Sequence, residues 1–245
     1  MLKKILLIAS GTLLLGYLAF VLFFINPKAE NDQECTNMKI EVLSTSEISY
    51  LNEAQVESVL KKHNLNPVGK KISEINLDSI EKALTENRLI KTAEAYKSID
   101  GTVKIKVSQR VPVLRIISES GNYYVDSEGQ TMPVPPNFAA YVPLATGKIS
   151  EEYASTKLYE FALFLKKNQF WNSQIEQIHV RPNLDIELIP RVGDHFILLG
   201  KIEDYEENLD KLRLFYNKGL QKVGWNRYSM INLKFKNQVV CTKKK

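Results

Sequence analysis

Val103–Met132, VKIKVSQRVPVLRIISESGNYYVDSEGQTM, decides how this chain is divided. Its first part alternates, with Val103, Ile105 and Val107 on one face and Lys104, Lys106 and Ser108 on the other. A period of two is the pattern of a half-buried strand. Pro112 interrupts it, and proline cannot donate a ladder hydrogen bond, so it marks an edge, a bulge or a passage between units. Val113–Ile117 is strand-like again. Tyr123-Tyr124-Val125 then meets Asp126-Ser127-Glu128-Gly129, whose Asp and Gly are turn residues, so Tyr123–Met132 reads as a hairpin. A long strand leaves one domain, passes a proline and opens the next, with Arg110 and Pro112 at the seam.

Toward the amino end, Lys3 and Lys4 precede a charge-free apolar run, Ile5–Ile25. A helix needs ~20 apolar residues to cross the hydrocarbon core, and this run is long enough. The apolar core of a signal peptide is shorter, and Pro27-Lys28-Ala29 is a poor cleavage site, so an uncleaved anchor is expected. Lysines before the span and Glu30, Asp32 and Glu34 after it put the amino end in the cytoplasm and the bulk outside. The expected organisation is a cytoplasmic tail over 1–4, a transmembrane helix over 5–25 and a stalk over 26–37. The remainder of the chain, roughly 210 residues, has the length of two domains. The net charge of +5 is spread over interspersed lysines and glutamates, an ordinary solvated surface. With an exported location, nucleic acid is excluded as a partner. Cys35 and Cys241 lie near opposite ends, and a disulfide between them is not expected.

From Met38 the order of elements is legible. Ile40 and Val42 alternate against Lys39 and Glu41 in a strand. Asn52 fits a helix N-cap, with Val56, Val59 and Leu60 beyond it at helical spacing through about His63. Pro67 and Gly69 mark a loop. A second helix starts at Ser73 or Asn76 and carries Leu77, Ile80 and Leu84 on one face. Ile90–Ile99 reads as a strand and Asp100-Gly101 as its hairpin turn. Beyond the seam, Pro133, Pro135, Pro136 and Pro143 crowd a loop that Val142–Gly147 closes. Glu151–Lys167 reads as a helix with Leu158, Phe161 and Leu165 on one side. Ile175–Val180, Leu184–Ile189 and His195–Leu199 read as strands, Tyr205–Val223 as a helix, and Ser229–Cys241 as one last strand.

Strand, helix, helix, strand, strand just outside a membrane span resembles the POTRA domain. Leu89-Ile90 with Ala93 and Ala95, and Val107–Pro112 (VSQRVP), fall where that family has its two short motifs, with Gln109 in place of the usual glutamate. Asp100-Gly101 stands where tryptophan-proline is common. The second half resembles the β-domain of the bacterial division proteins FtsQ and DivIB. The carriers are Tyr123–Gly129 (YYVDSEG), Val142–Gly147 (VPLATG) and Ile231–Phe235 (INLKF), the last with Asn232, Lys234 and Phe235 substituted. The resemblance implies an α+β chain: an N-terminal transmembrane helix, a POTRA-like βααββ domain over 38–111, and over 112–245 a mixed β-sheet domain with flanking helices. It further implies a non-enzymatic, single-pass divisome scaffold of the inner membrane, its bulk periplasmic or extracytoplasmic at the septum. Such a scaffold binds FtsB and FtsL and helps to localise and regulate septal peptidoglycan synthesis.

No catalytic chemistry is legible. The three histidines, His63, His179 and His195, show no zinc spacing and read as exposed or half-packed, and the cysteines form no CxxC pair. No cofactor, metal or small-molecule substrate is expected. Asp126 sits in a setting that a hairpin turn asks for. The last strand is a natural sheet edge, where unpaired amide and carbonyl groups can accept a partner's extended segment. Its lysines either guard that edge or meet acidic residues of a partner. By resemblance, Lys234, Phe235, Asn237 and Val239 are the contact residues, although alternation also allows Phe235 to share a core face with Ile231 and Leu233. Two other readings remain: a POTRA-bearing component of an export or outer-membrane assembly system, and a membrane-anchored cell-wall hydrolase.

Overall fold

A computed structural model describes residues 11–21, 33–44, 49–136 and 138–244. Ile5 and Ile25, the ends of the expected span, lie outside these residues. Residues 11–21 are helical. Among the described residues no helix is long and apolar enough to cross a membrane.

The chain forms two compact units. The first comprises Met1–Leu43, Glu53–Glu86 and Thr92–Val107. It holds β1 (Asn37–Leu43), α1 (Glu53–Lys62), α2 (Leu77–Thr85) and most of β2 (Ile90–Lys97) and β3 (Thr102–Gln109), in a three-stranded sheet of order β1-β3-β2. The strand alternation holds: Val103, Ile105 and Val107 are fully buried. They share the core with Ile40, Val56, Leu60, Ile80 and Leu84. Of the two expected starts for α2, Asn76 is the one used; its Oδ1 accepts from the Ser79 N–H at 3.0 Å. Asn64 ends α1 in the left-handed region (φ 57°). Gly101 (φ 77°) completes the β2–β3 turn, where a Cβ would collide with the Gln33 side chain.

The second unit comprises Ser44–Asn52, Asn87–Lys91 and Ser108–Lys245, and so includes both Arg110 and Pro112. Among the described residues, nine strands make one sheet in the order β12-β11-β10-β9-β8-β7-β4-β5-β6. They are β4 (Pro112–Ser118), β5 (Gly121–Asp126), β6 (Thr131–Pro133), β7 (Leu144–Gly147), β8 (Ile175–Val180), β9 (Ile186–Pro190), β10 (Phe196–Gly200), β11 (Tyr228–Asn232) and β12 (Val240–Lys243). Three pairs are parallel, β4 with β7, β7 with β8 and β10 with β11. Parallel neighbours need a crossover. That from β7 to β8 is α3 (Glu151–Tyr153), a π-turn at Ala154–Leu158, α4 (Tyr159–Lys167) and α5 (Gln169–Gln174). From β10 to β11 the chain runs through α6 (Tyr205–Phe215), a second π-turn at Tyr216–Leu220 and α7 (Gln221–Val223).

One row of side chains crosses seven strands in register: Ile116, Ala145, Ile178, Leu188, Ile197, Ile231 and Cys241. All but Cys241, which is half-buried, are fully buried. Leu158, Phe161 and Leu165, expected on one side of their helix, pack into the same core, as do Leu209, Leu212 and Tyr216.

Two readings of the sequence need correction. Val142–Gly147 is more than the close of a loop: Leu144–Gly147 is an inner strand, parallel to both neighbours. Four residues rich in small side chains carry too little pattern to show this. Gly147 explains why the stretch must end in glycine, since a Cβ there would collide with the Val180 carbonyl oxygen. Ser229–Cys241 is likewise not one strand. β11 and β12 pair antiparallel, and the chain reverses between them with Asn237 at φ 58°.

Candidate partner-binding surface

At the Arg110–Pro112 seam, the Gln109 Oε1 accepts from the Tyr50 and Leu51 N–H groups at 3.3 and 3.2 Å. An amide oxygen thus serves where the POTRA motif has a carboxylate. The Tyr50 hydroxyl donates to the Arg110 carbonyl at 2.6 Å. Arg110 pairs with Asp126 at 2.7 Å, the aspartate side chain being almost fully buried. The other Asp126 oxygen accepts from the Glu128 and Gln130 N–H groups at 2.8 and 2.9 Å. Asp126 is thus engaged by its own turn and by Arg110. Pro112 opens β4 opposite Asp126.

The histidines lie apart. His63 is exposed, and His179 Nδ1 lies 3.0 Å from the Thr146 hydroxyl. His195 corrects the expectation of an exposed or half-packed ring: it is buried, with Nε2 3.1 Å from the Tyr216 hydroxyl. Its burial against Tyr216 and Trp225 lowers its pKa, opposed by the Trp225 backbone carbonyl and Asp194. Cys35 and Cys241 are free thiols. Among the described residues no group of His, Cys, Asp and Glu is placed to hold a metal.

The candidate surface for a partner lies at the carboxyl end. β12 is the last strand in the sheet order, and among the described residues no strand pairs with its free side. The Lys244 N–H donates inward to the Arg227 carbonyl at 3.0 Å. Alternation along β12 therefore turns the N–H groups of Val240 and Thr242 inward as well, and those of Cys241 and Lys243 toward the open side. Lys234, Phe235 and Asn237 lie in the connector before β12, not on a strand, and Val239 immediately precedes β12, packed on the core. Phe235 does not share a core face with Ile231 and Leu233: those two are fully buried, whereas Phe235 is 50% exposed. β11 ends at Asn232, so the alternation that would have turned Phe235 inward does not extend to it.

Lys234 has a partner within the chain. Its Nζ lies 2.6 Å from Asp185 Oδ2, and Lys201 Nζ lies 3.3 Å from Oδ1. The Lys234 ammonium holds the Asp185 carboxyl below the usual carboxylate range, burial opposes it, and Asn183 and Lys201 assist. From α6, the Lys211 Nζ donates to the carbonyls of Leu233 and Phe235 at 2.9 and 3.1 Å. Asp185, Lys201 and Lys211 were not legible as part of this surface. Nothing in the sequence signals a pairing between groups 49 positions apart.

A family model described as FtsQ/DivIB, C-terminal related, matches residues 111–242, more than half of the chain. This chain belongs to the FtsQ/DivIB family. A POTRA-like domain model matches residues 33–108. No curated protein matches the sequence. FtsQ/DivIB and POTRA-like domains are non-catalytic scaffold domains, and membership makes this chain a scaffold of the divisome type with division proteins as its partners.

Proposed function

We propose that this FtsQ/DivIB chain is a single-pass scaffold of the bacterial cytoplasmic membrane that binds FtsB and FtsL through its exported domains. It thereby helps to localise and regulate septal peptidoglycan synthesis. Ile5–Ile25 is the anchor, and residues 38–111 and 112–245 are the POTRA-like and β-domains. The observation that carries the reading is the open edge of β12 together with the half-exposed Phe235 in the connector that leads into it. An unpaired edge supplies main-chain affinity for an added strand, and an exposed aromatic beside it supplies an anchor. Phe235, Asn237 and Val239 are the proposed contacts, with Lys234 at their border.

The test uses the full-length chain in detergent as bait for solubilised membranes of its own organism, compared with Phe235→Asp. The wild type should recover a small single-pass coiled-coil division protein, and the variant should lose it by on the order of 100-fold in affinity. Equal recovery by both baits, or none by the wild type, would overturn the proposal. Deleting everything after Met230 is a poorer test, because it strips Ile231 and Leu233 from the core.

A further inference from the structure

The ammonium group of Lys234, on a side chain that stays partly exposed, is engaged within the chain. Its stem crosses Gly200, where an added Cβ would lie 2.9 Å from Lys234 Cγ. The group then reaches a carboxylate that is only 3% exposed. That carboxylate is prepared for it: Asn183 Nδ2 donates to Asp185 Oδ2 at 3.0 Å, and the Lys201 Nζ donates to the Asn183 carbonyl at 2.6 Å. On the main chain, the Lys234 N–H donates to Asn232 Oδ1 at 3.0 Å. With Lys211 on the carbonyls of Leu233 and Phe235, the backbone on both sides of Phe235 is fixed by hydrogen bonds, while its ring stays half exposed. A Lys234 that swung outward would leave Asp185 only its longer contact with Lys201 and the Asn183 amide, and would cost it its shortest ion pair, so the arrangement seen is preferred.

We propose that Asp185 is a positioning residue for partner binding: it holds Lys234, and through Lys234 the loop that presents Phe235, in the bound arrangement before a partner arrives. Lys234 then acts on Asp185 within the chain and makes no ion pair with the partner. This rests on the reading that Phe235 and the β12 edge form the partner-binding surface. The gain is preorganisation: a loop already in place does not lose its conformational freedom on binding, and the competent fraction of molecules is not diluted.

Two measurements on the full chain test this. The first needs no partner. Amide hydrogen exchange over Lys234–Val239 should accelerate about tenfold in Asp185→Asn and in Lys234→Gln, with the amides of β8 unchanged as proof of folding. Unchanged exchange in the loop overturns the proposal whether or not the partner has been identified correctly. Lys234→Gln, at the exposed end of the pair, keeps the test valid if Asp185→Asn does not fold. The second is a double-mutant cycle on association with the FtsB-type protein. Each single variant should bind about five- to tenfold more slowly, and the double variant no more slowly than one single. Effects that multiply would mean that Lys234 meets the partner itself, and would overturn the proposal. Failure of the wild type to bind would instead overturn the proposed function, leaving the exchange experiment to decide the role of Asp185.

Discussion

The two edges of the nine-stranded sheet are treated in opposite ways. At β6 the chain closes its own edge. The strand is three residues long and ends in Pro133, which has no N–H to offer. Arg88 donates to the Thr131 carbonyl at 3.1 Å and also to its hydroxyl, and that hydroxyl donates to Glu151 at 3.1 Å. The hairpin behind β6 is fastened by Asp126 to Arg110 and to its own turn. At β12 the N–H groups of Cys241 and Lys243 face outward, and what is fixed is the strand's end, where Lys244 pairs with Asp194 at 2.8 Å. Lysines on an open edge discourage pairing with another copy of the same chain. One edge is engaged by the protein's own atoms at Thr131, and the other is the one we propose takes a guest.

The sharpest way to break the comparison is to undo the closed side. Asp126→Ala strands Arg110 beside an emptied site and removes two turn hydrogen bonds. It should cost about 3–5 kcal/mol, read as a lower urea midpoint, since breaking a buried pair leaves the other charge uncompensated. A loss under about 1 kcal/mol would mean that the β5–β6 hairpin is held by packing alone.

The open edge comes next. Lys243→Pro removes an outward N–H and no bond to β11, so the fold should persist. Partner affinity should fall on the order of tenfold, the loss of about one main-chain hydrogen bond plus steric obstruction. Lys243→Ala serves as the control and should bind nearly as the wild type does. Equal binding by the proline variant would show that partners do not add to β12.

Arg88→Ala should act on the other edge alone. It should leave partner affinity unchanged and shift stability by about 1 kcal/mol or less. Sedimentation velocity should reveal weak, concentration-dependent self-association as the β6 edge is bared. A loss of partner binding matching that of Lys243→Pro would erase the distinction between the edges.

The smallest effect is a pH dependence. The Asp185 carboxyl titrates below its ordinary value of about 3.9 in the folded chain, so its ion pairs stabilise the fold above that pH. The contribution is lost as pH falls through the folded-state value. The gap in melting temperature between wild type and Asp185→Asn should therefore narrow from about pH 6 to about pH 3. A constant gap would assign the variant's cost to something other than charge.

Much of the fold is set by local pattern. The alternation in Val103–Val107, the i, i+3, i+7 spacing of Leu158, Phe161 and Leu165, and the turn chemistry of Asp100-Gly101 and Asp126–Gly129 each specify an element within a few residues. The candidate surface was half legible. The carboxyl end was expected to be an edge and is one, but the single strand became a hairpin, and Asp185 and Lys211 were unforeseen.

The sequence by itself determined the order of most elements and which faces of them are apolar, because periodicity and turn residues act over a few positions. Only the tertiary structure decided that β7 is an inner strand, that His195 is core, that Lys234 turns inward to Asp185 and that β12 rather than β6 is open. Those outcomes depend on which distant groups meet once the strands are ranked across the sheet. A buried carboxylate takes whichever ammonium the fold brings to it, and no local pattern records that meeting.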